Sequence, residues 1–266
     1  MNDLLTWFDE ETANSRKYYN LNEKLKKFNI ENIGTTHSDP AHFIPELIQN
    51  ADDQNAKEVF FSFDTINSSI GFSHNGKNFS KQDIKDIVSI GFSKKSEKIN
   101  KIGKFGTGFK SVYKVTDKPE IICKLEDEKN QSEVINFSIE NKIIPVRQDN
   151  LNNKYQNFET NFFFKLKNTE ILTSENFINF VKNNGSKILL FLPNIRKLTF
   201  EIDKQKFLFT RSDKNKGNNL IICTIITDIN SKKETLNYYR FSKKINLEGY
   251  EGESEIVVAY PFNKSD

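Results

Sequence analysis

The chain has 266 residues, 36% of them hydrophobic and 28% charged, with a formal net charge of +3. That length allows one large domain or two modest ones with a real core. The mild charge, spread over scattered lysine pairs such as Lys94-Lys95 and Lys232-Lys233, gives no support to a dedicated nucleic-acid surface. No apolar run reaches 18 residues, which argues against a spanning helix. The N-terminus carries early acidic residues and no apolar signal core, so a cytoplasmic protein is expected. Cys123 and Cys223 each stand alone in apolar runs and read as buried thiols. With His37, His42 and His74 as the histidines, a His/Cys metal site has few ligands to draw on.

Taken in chain order, residues 1–39 read as a polar, partly helical arm, with LNEKLKKFNI as a short amphipathic turn pattern. Asp39-Pro40 marks a turn before a helix reaching about Ala56, and Pro45 must lie in or near its first turn, where a missing N–H costs nothing. EVFFSFD (58–64) and SIGFS (69–73) read as adjacent strands. Ser80 followed by Asp83 has the form of a capping box, opening a helix with Ile84, Ile87 and Val88 on its apolar stripe. A helix is expected from about Phe109 to Val115. Then come IICKL, VINFSI and KIIPV as strands, with a hairpin turn at Glu140-Asn141-Lys142, and NFFFKL (161–166) as another. Ser174 is placed as the cap of a helix running to about Asn184 and ended by Gly185. KLTFEID, KFLFTR, NLIICTIIT, TLNYYRFS and EIVVAYPF alternate like sheet strands. The fold class is α+β, divided as an arm (1–39), a core (40–170) and a β-rich continuation (171–266) leading into a longer protein.

Two stretches carry candidate chemistry. In FIPELIQNADDQ (43–54), Phe43, Leu47, Ile48 and Ala51 form a core-facing stripe. Glu46, Asn50 and Asp53 form a second stripe at i, i+4 and i+7, which alone is equally compatible with a solvated face. In IGKFGTGFKSVY (102–113), Gly103, Gly106 and Gly108 spell G-x-x-G-x-G, with Lys104 and Lys110 on either side of the last two. That pattern fits a phosphate cradle or a flexible turn before a helix.

The order ELIQNADD, a strand, HNGKNF, then IGKFGTGFKS resembles the motifs of the GHKL ATPase superfamily, the group of gyrase B, the ninety-kilodalton heat-shock chaperones, histidine kinases and MutL. The likeness is greatest to the sacsin-type N-terminal module and its bacterial relatives, through HNGKNFSKQDI, SIGFSKK, KFGTGFKSVYKVTD and ILLFLPNIRKLTFEI. It implies a Bergerat-type two-layer sandwich, a mixed, mostly antiparallel sheet covered by helices on one face. It also implies ATP and Mg²⁺ as ligands, slow hydrolysis, a homodimer on ATP binding, and a downstream effector in a stress or antiviral-defence protein. By resemblance, Glu46 is the general base and Asn50 the Mg²⁺ ligand. Asp53, His74, Asn75, Gly76 and Phe79 lie at the base end, with Thr160 on the pocket floor. Ser93 and Lys95 belong to a lid over 91–101. Gly103, Lys104, Phe105, Gly106, Thr107, Gly108 and Phe109 form the phosphate wall, helped by the dipole of the helix that follows.

The second motif departs from the family's D-x-G-x-G. Its aspartate, which accepts from the adenine amino group, is replaced by His74, leaving a neutral histidine, the Asn75 amide or a water held by Asp53 to accept instead. This departure supports the alternative of a pseudo-ATPase, a nucleotide-gated or nucleotide-free interaction module, whereas the intact Glu46/Asn50 pair argues against it. A histidine kinase would need a phospho-acceptor helical region, and a topoisomerase or mismatch-repair protein a transducer domain; the sequence shows neither.

Overall fold

A computed structural model of the chain describes residues 3–21, 40–89, 108–148, 158–168, 173–203, 205–246 and 253–262. The amphipathic LNEKLKKFNI pattern beyond Leu21, the lid segment, and Gly103 to Thr107 lie outside the described residues.

The protein is α+β. Twelve strands among the described residues form one open sheet, and only two of its pairings are parallel. The strands are β1 (Glu58–Asp64), β2 (Ser69–His74), β3 (Phe79–Ser80), β4 (Glu120–Glu126), β5 (Ser132–Glu140), β6 (Ile144–Arg147), β7 (Thr160–Lys165), β8 (Lys197–Ile202), β9 (Gln205–Gly217), β10 (Leu220–Ile229), β11 (Lys232–Asn246) and β12 (Glu253–Phe262). Their order is β12-β11-β10-β9-β8-β1-β2-β7-β4-β5-β6, with β3 beside β4. The helices are α1 (Asp3–Leu21), α2 (Phe43–Asp53), α3 (Lys81–Val88) and α4 (Ser174–Phe191). Among the described residues, no helix is long and apolar enough to cross a membrane.

The alternation of EVFFSFD places Val59, Phe61 and Phe63 on one buried face of β1. There Phe61 lies between Phe72 of β2 and Phe200 of β8, at ring-centroid distances of 4.6 and 5.2 Å. Much of the core is phenylalanine, with Phe61, Phe72, Phe162, Phe164 and Phe200 fully buried across the central strands. The β1–β2 turn is held by Asp64 Oδ1, which accepts from Asn67 N at 2.9 Å. Ser80 caps α3 through a reciprocal box with Asp83, as its spacing predicts. The β5–β6 hairpin turns at Asn141 and Lys142, both with positive φ.

Two elements differ from the sequence reading, and the partly helical arm takes definite form. The N-terminal arm is a long helix for its first half: α1 buries Leu4 and Phe8, and it is tied to β6 by Arg147–Asp9 (3.0 Å) and by Thr12 Oγ1 donating to Pro145 O (2.6 Å). The helix at Phe109–Val115 is a 3₁₀ turn, Phe109–Lys114, too short to contribute the expected dipole. Finally, α4 is capped by Thr173, not Ser174, and continues through Gly185 to Phe191. Gly185 does not stop the helix; it brings α4 close to β9, because a Cβ there would meet the Phe209 ring at 2.5 to 2.9 Å. The real C-terminus of α4 is closed by Arg211. Its guanidinium donates to the carbonyls of Leu189, Leu190 and Leu192 at 2.9, 3.1 and 2.6 Å and pairs with Asp213 at 2.7 Å.

Candidate functional site

The helix α2 supplies the carboxylate and the amide. Phe43, Ile44, Leu47, Ile48 and Ala51 fix its rotation by facing the core. Pro45 sits in the first turn, where it costs no hydrogen bond. The helix is also held at its far end. Asp52, only 3% exposed, accepts from the backbone N–H groups of Asn194 and Ile195 at 2.8 Å each, which fastens α2 to the chain entering β8.

This rotation leaves Glu46 half-buried, with His42 Nε2 3.6 Å from its Oε1. Its other oxygen lies directly over Gly108: an ideal Cβ on that glycine would sit deep inside the van der Waals radius of Glu46 Oε2 and 3.4 Å from Cδ. Gly108 has ordinary αR dihedrals (φ −62°, ψ −48°), so close approach, and not backbone conformation, favours the missing side chain. One turn beyond Glu46, Asn50 is 5% exposed and its Nδ2 has no hydrogen-bond partner among the described residues. An unpaired buried amide beside a carboxylate is costly in an empty interior and is the feature of a site that receives a polar group. Asp53, the third residue of the stripe, is exposed at the end of the helix and does not share this burial.

The residues expected at a base end lie at the ends of β2 and β7. His74 and Thr160 are cross-strand partners, and both are fully buried. Thr160 opens β7 at the expected position, and its Oγ1 has no hydrogen-bond partner among the described residues. His74 Nδ1 accepts the Gly76 N–H at 3.1 Å. Burial pushes the imidazole down to about 4, so it is neutral. Gly76 packs against Gln54 at the C-terminus of α2, where a Cβ would meet Gln54 Cβ and O at 3.0 Å. The Asn75 side chain is exposed and turned away: its Oδ1 accepts from the N–H groups of Lys57 and Glu58, both at 2.8 Å. Its acceptor is therefore spent on the turn, and Asn75 does not stand in for the family aspartate. Phe79 and Phe109 are core residues, each ringed against Phe162.

Lys110, which follows the glycine stretch, is turned into the fold. Its Nζ is buried and donates to the carbonyls of Ile87 (2.8 Å) and Lys142 (3.3 Å), and burial followed by repulsion from Lys142 lowers it to about 7. It ties the 3₁₀ turn to α3. Ser93, Lys95, Gly103, Lys104, Phe105, Gly106 and Thr107 fall outside the described residues. A separate open groove of about 880 Å³ runs along Lys77–Gln82 and Glu126–Lys129, away from Glu46.

Residues 22–172, which hold every candidate residue from Glu46 to Thr160, match the family model of the sacsin domain. The chain belongs to the sacsin-domain family. It is 34% identical over 112 residues to sacsin of Homo sapiens, a match covering 36% of this chain and 2% of that protein. It is 39% identical over 88 residues to Protein NO VEIN of Arabidopsis thaliana, covering 32% of this chain and 3% of that protein. The chain thus spans a small fraction of the length of these relatives. Within the sacsin-domain match lie α2, β1 to β7 and the 3₁₀ turn, whereas α4 and β8 to β12 follow it.

One residue of this sacsin domain escaped the sequence reading although a signal exists. Asp52 follows Ile44 and Ile48 at four-residue steps, so a carboxylate in phase with two apolar residues had to be buried and paired. For Lys110 no local signal exists; its partners are carbonyls 23 and 32 residues away.

Proposed function

We propose that this sacsin-family chain is a nucleotide-binding module of GHKL type, its helices covering a Bergerat-type sheet. It binds ATP with Mg²⁺ and hydrolyses it slowly to drive a conformational or dimerisation switch. The observation that carries this reading is the seating of the Glu46 carboxylate on Gly108, with the buried, unpartnered Asn50 amide one turn along the same helix. The unpartnered Asn50 Nδ2 can donate to a phosphate oxygen, and the amide oxygen of the same side chain is a hard donor of the kind Mg²⁺ takes while keeping most of its waters. Among the described residues there is no cluster of three His, Cys, Asp or Glu side chains that would suit a different ion. When bound, Mg²⁺ would neutralise charge on the phosphates.

The protein's own groups divide the remaining work. Asn50 orients the metal-phosphate group, and Gly108 allows backbone to come close where a side chain would intrude. Glu46 Oε2 is held where it can orient a water and take its proton. The apolar residues of α2 that face the core fix the rotation of the helix that carries that carboxylate. Dimerisation on nucleotide binding and an effector elsewhere in a longer protein belong to the same proposal.

The test pairs calorimetry with turnover. Wild-type protein binds ATP in the presence of Mg²⁺, and Glu46→Ala retains binding while hydrolysis falls roughly 10²- to 10⁴-fold. Absence of binding at millimolar nucleotide sinks the reading. Binding without any wild-type turnover favours the second reading, a pseudo-ATPase, for which the observation is His74: a buried neutral imidazole where an acceptor for adenine is needed.

A further inference from the structure

The base end of the proposed site has a polarity of its own. A neutral imidazole has one donor and one acceptor nitrogen, and the hydrogen bond made by one fixes the role of the other. Nδ1 of His74 accepts the Gly76 N–H at 3.1 Å, so it carries no proton. The proton is therefore on Nε2, which can only donate. Burial, which keeps this ring neutral down to about pH 4, removes the doubly protonated alternative. Beside it, the Thr160 hydroxyl is fully buried with Oγ1 unpartnered, and a hydroxyl can accept as readily as donate. The Asn75 oxygen, the nearest alternative acceptor in the motif, is occupied by two backbone N–H groups. His74 and Thr160 thus present a fixed donor next to an adaptable hydroxyl.

An exocyclic amino group offers two N–H donors, and set against the Nε2–H of His74 it would leave two buried donors facing each other. A carbonyl beside a ring N–H has the complementary pattern: the oxygen accepts from His74 and the ring N–H donates to Thr160. Inosine, guanosine and uridine present that edge, whereas adenosine and cytidine present an amino group beside a ring acceptor. We infer that His74 and Thr160 read the keto edge of a nucleobase, so that the site takes inosine, guanosine or uridine triphosphate in preference to ATP and CTP. This rests on the nucleotide-binding reading proposed above and sharpens it to a substrate class. Buried polar mismatches are heavily penalised, so the expected preference is at least about tenfold in Kd.

The experiment is calorimetric titration of the full chain with Mg²⁺ and, in turn, ITP, ATP, GTP, UTP and CTP. ITP and ATP decide the matter, because they differ only in the edge in question. ITP binding about tenfold or more tighter than ATP supports the inference; equal affinity, or tighter ATP, overturns it while leaving nucleotide binding intact. If no nucleotide binds at millimolar concentration, the nucleotide reading falls and this inference with it. Tight GTP and UTP alongside ITP place recognition on the shared keto edge. Tight ITP and GTP with weak UTP narrow it to 6-oxopurines. His74→Asp replaces the fixed donor by an acceptor and should reverse the ITP/ATP order; an unchanged order in a folded variant overturns the role of His74. If that variant fails to fold, the wild-type ratio still decides.

Discussion

Gly108→Ala is the sharpest perturbation of the proposed catalytic geometry, because it adds one methyl group and alters nothing else. The backbone of Gly108 is in the αR region, so alanine adopts it without strain. The new Cβ would overlap Glu46 Oε2 and lie 3.4 Å from Cδ, with Glu46 Cβ at 3.8 Å. The carboxylate oxygen must therefore swing aside by about 1 Å to restore ordinary contact. A half-exposed glutamate does this by rotating its terminal torsions, at a stability cost within about 1 kcal/mol. Catalysis is less forgiving, since a shift of about 1 Å in a reacting group can cost about 10²-fold in rate. Expected, then, is a variant with nearly wild-type thermal midpoint that still binds nucleotide, with turnover at saturating nucleotide reduced about 10²-fold. The double variant with Glu46→Ala should be no slower than Glu46→Ala alone, because both changes remove the same group. Full turnover in a folded Gly108→Ala protein would refute the placement of Glu46 as the base.

Other consequences are independent of nucleotide. Gly185→Ala should destabilise the fold by roughly 1–3 kcal/mol in urea unfolding, since the methyl meets a packed Phe209 ring and this overpacking outweighs the gain in helix propensity. Arg211→Met should cost roughly 3–5 kcal/mol by the same assay, because it strips three carbonyls at the end of α4 and leaves Asp213 without its nearest partner; Arg211→Lys should not rescue it, lacking the planar fork. His74 makes stability pH-dependent. Its folded-state value of about 4 lies below the ordinary 6.5, so between those values the unfolded chain binds the extra proton and stability falls as pH falls. The loss should approach about 3 kcal/mol by pH 4 and be absent above pH 7. His74→Gln should flatten that slope in unfolding curves measured across the interval.

What could be read from the sequence divides by the range of the interaction that decides each feature. The Ser80–Asp83 box, the turn at Asn141–Lys142 and the first-turn position of Pro45 depend on neighbours three or four residues away, and all three stand in the structure. Gly185 depends on a ring in another strand. Viewed locally, a glycine after Asn184 is a helix stop; packed on Phe209, it is a spacer inside a longer helix. The candidate site divides the same way. The helical phase of Glu46 and Asn50 was legible, but it does not distinguish exposed Asp53 from buried Asp52; that follows from the chain entering β8 supplying two N–H groups to one carboxylate. His74 shows the limit most clearly. Its identity signals that an acidic acceptor is missing, yet a histidine can offer either polarity. Only the Gly76 N–H on Nδ1 decides between them, and it assigns a donor to the position where the family motif carries an acceptor.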